Sequence, residues 1–262
     1  MKNKLIFFYK YTTTALLFLT FLLCCASDTT IFLAPCYSSV ETACAAFKNE
    51  PPAMLWDIHD VLFKQSKPVS FFERLKTIKR PASFLANTGK VAIDATFWGF
   101  LLNKLYYGTK VDQAQFLSAL QPYPPTFTED IIRAATCSYT PCNDTCELVK
   151  TLKNAGYKNY LFSNIAPAVL TELIHEFPEQ FSSFDSTQNV INAGTTFTYK
   201  PQEQAYAQAV QSVHMQGKEH LLVFVDDNLD NIKEAQRYGL NGIWYKTPEQ
   251  LDHDLMLLMN FR

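Results

Sequence analysis

Asp57, His59, Ser163, Asn164, Lys200, Asp226 and Asp227 are the side chains whose types and placing could do chemistry together. Asp57 and His59 stand inside AMLWDIHDVLF (53–63), where an apolar run meets an acid, an imidazole and a second acid, Asp60. Ser163 and Asn164 close YLFSN, Asp226 and Asp227 close LLVFVDDN, and Lys200 precedes Pro201 at the head of a helical stretch. Carboxylates from two strands make a hard oxygen site, which suits Mg²⁺ rather than zinc. A lysine ammonium and a serine hydroxyl suit the oxygens of a phosphoryl group. An Asp carboxylate beside Mg²⁺ can attack phosphorus and form an aspartyl phosphate. Singly, each feature has an ordinary explanation. A strand-terminal Asp or a Ser-Asn pair turns the chain, Lys-Pro is common before a helix, and Asp226-Asp227 could cap the next one. Their joint occurrence argues for a site.

Such a site needs elements that bring distant residues together. PAMLWDI reads as a short buried strand, a continuous apolar run ended by charge. After Gly156 strands and helices alternate: YKNYLFSN, PAVLTELIHEF, FDSTQNVINAG, KPQEQAYAQAVQSV, HLLVFVDDN, LDNIKEAQRYG, GIWYK and TPEQLDHDLMLLM. That alternation predicts an α/β fold, a parallel sheet with helices on both faces. Ligands in such folds lie at the carboxyl ends of the strands, where Asp57, Ser163-Asn164 and Asp226-Asp227 fall. Between Val69 and Ala155 the texture is helical, with Thr128 and Asn143 as candidate N-caps and Gly108 and Gly156 as candidate stops. The expected organisation is a leader or anchor over 1–26, an α/β core from 27–64 and 156–262, and a helical insert over 65–155.

LWDIHDVLF, LFSN, YKP and VFVDDNLDNIKEAQRYGL resemble, in order, the four motifs of haloacid dehalogenase-like (HAD) hydrolases, over Pro51 to about Lys246. The resemblance implies a parallel-sheet, Rossmann-like core and makes the insert a C1-type helical cap. It implies Asp57 as nucleophile, and Ser163 with Asn164, and Lys200, as phosphate ligands. It implies Mg²⁺ held by Asp57, the backbone carbonyl of His59 and Asp227, with Asp226 assisting. The expected activity is Mg²⁺-dependent phosphatase action on a small phosphorylated substrate.

His59 departs from the pattern. Most phosphatases of this group carry a second Asp two residues after the nucleophile, which protonates the leaving oxygen and then activates water. True dehalogenases have Tyr there, and some phosphatases Gly. Imidazole titrates near pH 6.5 and can serve as acid and base. Two other readings stay open. One is a carbon–halide hydrolase using the same nucleophile without Mg²⁺, against which the Asp226-Asp227 pair argues. The other is a catalytically impaired, ligand-binding scaffold, argued by His59 alone. Asp60, one residue past the acid/base slot, is expected to turn the chain. Phe97, Trp98, Tyr106 and Tyr107 in the insert could line a pocket, although aromatics at helical spacing are more often core.

The chain has 262 residues, 48% of them hydrophobic and 18% charged, enough to pack a core. A net charge of −2 and the absence of a basic run exclude a nucleic-acid surface. The N-terminus carries Lys2, Lys4 and Lys10, then an apolar run from Ala15 to Ala26. The run is shorter than the roughly 20 residues of a membrane span and reads as a secretory signal cleaved after Ala26. Leu5–Phe8 could extend it into an uncleaved anchor, and Leu22-Leu23-Cys24-Cys25 loosely resembles a lipoprotein box. An exported protein, periplasmic or secreted, is therefore expected, with membrane contact only through this segment if it is not cleaved. Export would permit disulfides, with Cys36–Cys44 and one pair among Cys137, Cys142 and Cys146 as the expected bridges. His175, His214, His220 and His253 read as surface residues.

Overall fold

Ala53–Trp56 and Leu222–Asp226 are buried at every position, as strands covered on both faces must be. The computed structural model describes residues 30–65, 139–165, 167–189 and 198–259, with isolated positions between 82 and 130. Its strands are β1 (Ile31–Phe32), β2 (Ala53–Trp56), β3 (Phe63–Gln65), β4 (Tyr139–Pro141), β5 (Lys158–Leu161), β6 (Ser186–Asn189), β7 (Leu222–Asp226) and β8 (Asn241–Trp244). Its helices are α1 (Val40–Asn49), α2 (Asn143–Asn154), α3 (Pro167–Glu176), α4 (Pro178–Phe181), α5 (Glu203–Ser212), α6 (Leu229–Tyr238) and α7 (Pro248–Met259).

Six strands form one sheet in the order β1-β8-β7-β2-β5-β6. All neighbours are parallel except β1, which pairs antiparallel with β8, Ile31 opposite Ile243. Alternate residues of β2 and β7 serve opposite faces. Met54, Trp56, Val223 and Val225 pack with Phe47 of α1, Val149 of α2 and Leu251 of α7. Ala53, Leu55, Leu222 and Phe224 pack with Ala205 and Tyr206 of α5 and Ile232 of α6. Helix α6 starts at the N-cap Asn228, whose side chain accepts from the Asp230 amide, and stops at Gly239, which takes the left-handed φ of 105° that glycine accepts without strain. It rides close on β8: a Cβ at Gly242 would stand 2.8 Å from Ile232 Cγ2.

The α/β fold and its parallel sheet are as the alternation predicted. The edge strand β1 and helix α1 had no counterpart in the sequence reading. Strand β1 has two residues, too few for a period, and α1 (VETACAAFKN) buries only Ala43 and Phe47, so its apolar stripe is thin. Its start is marked by a capping box between Ser39 and Thr42. Helix α2 begins one residue earlier than a cap at Asn143 would give, with Cys142 in the N-cap position.

The insert leaves and returns through a small antiparallel hairpin, with Phe63 opposite Pro141 and Gln65 opposite Tyr139. The C-terminal part of the stretch grouped as 65–155 belongs with the core. Thr145, Val149 and Leu152 of α2 are fully buried, and Val149 and Leu152 join the cluster that covers β2. The amphipathic text of α2 matched the helical texture before it, which is why the sequence did not separate them. Most of the expected cap, with Thr128, Gly108 and the aromatics Phe97, Trp98, Tyr106 and Tyr107, lies outside the described residues, as does the leader or anchor over 1–26. Among the described residues no helix is long and apolar enough to cross a membrane. Cys36, Cys44, Cys142 and Cys146 are free thiols. The expected Cys36–Cys44 bridge is not made, because the Cys44 thiol turns to α7 and donates to the carbonyls of Leu257 and Leu258 at 2.9 and 3.0 Å. Cys137 lies outside the described residues.

Candidate active site

Strand β2 lies between β7 and β5, where the chain's progress across the sheet reverses, and their carboxyl ends open on one crevice. The ladder runs one step past the strands. The Asp57 amide donates to Val225 O (3.0 Å) and the Phe162 amide to Trp56 O (2.8 Å), so Asp57 and the residues after Phe162 leave the sheet in fixed register. The chain then turns at once, with the Leu62 and Phe63 amides both donating to Ile58 O. Asp60 makes that turn as expected, exposed, with φ at 57° and its amide donating to Phe63 O at 2.8 Å.

Lys200 is the centre of the site. It is 3% exposed, and its Nζ lies 2.9 Å from Asp57 Oδ1 and 2.6 Å from Asp226 Oδ2. The rings of Phe162 and Phe224 flank the ammonium at 5.3 and 4.9 Å. Burial opposes the lysine charge, and the carboxylates of Asp226 and Asp57 outweigh it, so its pKa lies above the ordinary value. Burial pushes Asp226 up to about 6 against the pull of Lys200.

Asp226 is saturated by neighbours. Besides Lys200, its Oδ1 accepts from the Asn228 amide at 2.7 Å, and Asn231 Nδ2 reaches Oδ1 and Oδ2 at 3.0 and 2.9 Å. Asn231, buried on the first turn of α6, was not singled out in the sequence. It lies inside the motif VFVDDNLDNIKEAQRYGL, but its bond to Asp226 shows only when the helix is seen to start beneath the acid. The Asn164 side chain is fastened to the chain around Lys200. Its Oδ1 accepts from the Lys200 amide at 2.8 Å and its Nδ2 donates to Lys200 O at 3.0 Å, so both ends of the side chain fasten the lysine backbone. Ser163 is fully buried at the same edge, between Phe162 and Asn164.

Asp227 stands at the rim with its side chain exposed. Partial burial, then the carboxylates of Asp57 and Asp60, raise its pKa. One carboxylate oxygen from each of Asp57, Asp226 and Asp227 lies within 4.8 Å of the other two. One buried lysine faces these three acids, so the crevice carries surplus negative charge on hard oxygen donors, and a divalent cation such as Mg²⁺ fits it. With Asp226 engaged by Lys200, Asn228 and Asn231, Asp57 and Asp227 are the open ligands. The turn's hydrogen bonds use the carbonyls of Ile58 and Phe63 and leave out the His59 carbonyl. A second group, Glu172, His175 and Glu176, lies within one helical turn on the surface of α3.

His59 is half-buried, and its Nε2 lies 2.7 Å from the hydroxyl of Tyr139, the first residue of β4. Burial lowers its pKa below the ordinary imidazole value, although Asp57 pulls the other way. Tyr139, 5% exposed, was also missed, since nothing in its local sequence marks it. His175, His214 and His253 are exposed and His220 half-buried, all away from these contacts.

Residues 54–239 match the family model of haloacid dehalogenase-like hydrolases. No curated protein matches the chain in sequence. Among solved structures, a HAD family enzyme from Bacteroides thetaiotaomicron is similar at 18% identity and a TM-score of 0.51, over 78% of this chain and 98% of that one. A HAD phosphatase from Thermococcus onnurineus aligns at 15% identity and a TM-score of 0.46, over 78% of this chain and 97% of that one. An L-2-haloacid dehalogenase from Xanthobacter autotrophicus aligns at 18% identity and a TM-score of 0.44, over 72% and 75%. A family match that spans most of the sequence, on a sheet whose carboxyl edge gathers Asp57, Lys200 and Asp226, makes this protein a member of the haloacid dehalogenase-like hydrolases.

Proposed function

We propose that the protein is a Mg²⁺-dependent phosphatase that hydrolyses small phosphoric monoesters through an aspartyl phosphate on Asp57. The observation that carries the reading is the charge arrangement, three carboxylates with an oxygen each inside 4.8 Å, two of them paired to one buried lysine. A carbon–halide hydrolase would use the same nucleophile without a cation, so it does not call for a surplus of acid. A phosphatase needs the surplus acid to hold a cation against an anionic substrate.

Asp57 and Asp227, with the His59 carbonyl, would hold Mg²⁺, and Asp226 would back them. Bound there, Mg²⁺ neutralises charge on the phosphoryl oxygens and lets an anionic nucleophile approach an anionic ester. Lys200 orients one oxygen of Asp57 by its 2.9 Å contact and turns its remaining N–H toward a phosphoryl oxygen beside Ser163. Asn164 keeps the Lys200 backbone in register, and Asn231 keeps Asp226 in place. In the first step the free oxygen of Asp57 bonds to phosphorus while the ester P–O bond breaks, and His59 gives a proton to the departing alcohol. In the second, water attacks phosphorus, His59 takes its proton, and inorganic phosphate leaves Asp57.

A panel of phosphate esters assayed with and without Mg²⁺ tests this. Turnover should require the cation, and Asp57→Asn should lower it by several orders of magnitude, as loss of a nucleophile within a cooperating unit does. Cation-independent turnover, or Asp57→Asn activity within about tenfold of wild type, would overturn the reading.

A further inference from the structure

His59 occupies the acid/base slot, and among the described residues its ring makes one hydrogen bond, Nε2 to the Tyr139 hydroxyl at 2.7 Å. The two rings sit with centroids 5.5 Å apart, tilted by 57°, so the contact is set by packing as well as by the bond. Tyr139 is held in turn. It is 5% exposed, belongs to the apolar cluster that covers β2, and is fixed in the ladder opposite Gln65. The imidazole is thus tied at one nitrogen to a rigid strand that the chain reaches only after the insert.

We propose that Tyr139 is a positioning residue for His59: its hydroxyl oxygen accepts Nε2–H and so makes Nδ1 the nitrogen that meets the substrate. The proposal rests on the phosphatase reading for the role of the ring and on geometry for the bond. A proton carrier needs one nitrogen fixed and the other free to gain and lose its proton. With Nε2–H donating to Tyr139, the Nδ1 lone pair is open in the neutral ring, and the same bond persists when Nδ1 is protonated. The opposite direction, phenol donating to Nε2, would put the neutral ring's proton on Nδ1 and leave no free lone pair for the water-activating step.

Two measurements test the pair. The first needs no activity: ¹⁵N imidazole spectra of the full chain at mildly alkaline pH, with His59 assigned by its loss in His59→Gln. The wild type should show Nε2–H with a slowly exchanging proton, and that protection should disappear in Tyr139→Phe. A wild-type ring protonated at Nδ1 overturns the proposal without any variant, and so does unchanged protection in a folded Tyr139→Phe. The second is kinetic. Tyr139→Phe should lower kcat for an aliphatic phosphate ester about tenfold, the worth of one hydrogen bond, at constant KM. It should add nothing in a His59→Ala background, whereas a merely structural role would lower both proteins alike and sink the proposal. A wild type that turns over no phosphate ester refutes the phosphatase reading, and the spectra still decide the pair.

Discussion

Lys200 shows what a single side chain costs and secures in this crevice. A buried ammonium is expensive alone, and here two carboxylates and two aromatic faces compensate it. Removing it would leave two buried acids unpaired. His59 is a different case, because its burial lowers its pKa. In the proposed role of general acid it must carry a proton, and a lowered pKa means the cation fades below the usual 6.5 as pH rises. The rate for an alkyl phosphate should therefore peak on the acid side of about pH 6.5 rather than at neutrality, which a pH–rate profile checks. His59→Ala should cost about 10²–10⁴-fold on that substrate and much less on p-nitrophenyl phosphate, whose leaving group hardly needs a proton. His59→Asp should restore much of the loss. Equal losses on both esters in single-turnover assays would reduce His59 to an occupant of the slot.

At the scale of elements, the site depends on β5 being delivered to the sheet in register, since Ser163 and Asn164 follow it. Asp185 secures the other end of that strand. It accepts from Lys153 of α2 at 2.7 Å, from Lys158 of β5 at 3.1 Å and from the Asn159 amide at 2.8 Å. Burial would raise the Asp185 pKa, but the hydrogen bonds from Lys153, the Asn159 amide and Lys158 hold it below the ordinary carboxylate value. A depressed folded pKa means that this stabilisation is complete above the unfolded value of about 3.9 and is lost as pH falls through the folded one. Asp185→Asn should lower stability at neutral pH by about 1–2 kcal/mol, the lysines being partly exposed and screened. It should also flatten the acid limb of stability below about pH 4. Denaturant unfolding of both proteins between pH 7 and roughly 2.5 reads both effects. An unchanged acid limb would remove Asp185 from this role.

For the whole molecule, the proposed cation site would couple Mg²⁺ binding to global stability. Without a cation, Asp227 adds repulsion beside Asp57, which joins partial burial, the larger cause, in raising its pKa. Mg²⁺ at about 100 times its Kd should add about 2.7 kcal/mol to the folded state. Asp227→Asn should reverse the order: slightly more stable than wild type in chelator, and less stable in Mg²⁺. Thermal unfolding with and without the cation measures this, and an identical Mg²⁺ response in both proteins would exclude Asp227 as a ligand.

The sequence determined the class of the fold and marked candidate residues, several of which the fold brings together. Strands such as LVFVD are apolar at nearly every position because both faces are covered, and each ends in polar residues at the edge where chemistry is possible. Those signals are local, so Asp57, His59, Ser163, Lys200, Asp226 and Asp227 could be named from spacing. What only the tertiary structure decided is which groups serve them. The Asn164 side chain, next to Ser163, clasps the Lys200 backbone across a gap of 36 residues, a contact no local signal announces. The contacts of Asn231 and Tyr139 could not be read locally, since they come from a helix starting under Asp226 and a strand returning beside His59. The placing of α2 in the core was hidden for the same reason. An amphipathic helix records that it buries one face, and only the folded chain shows against what.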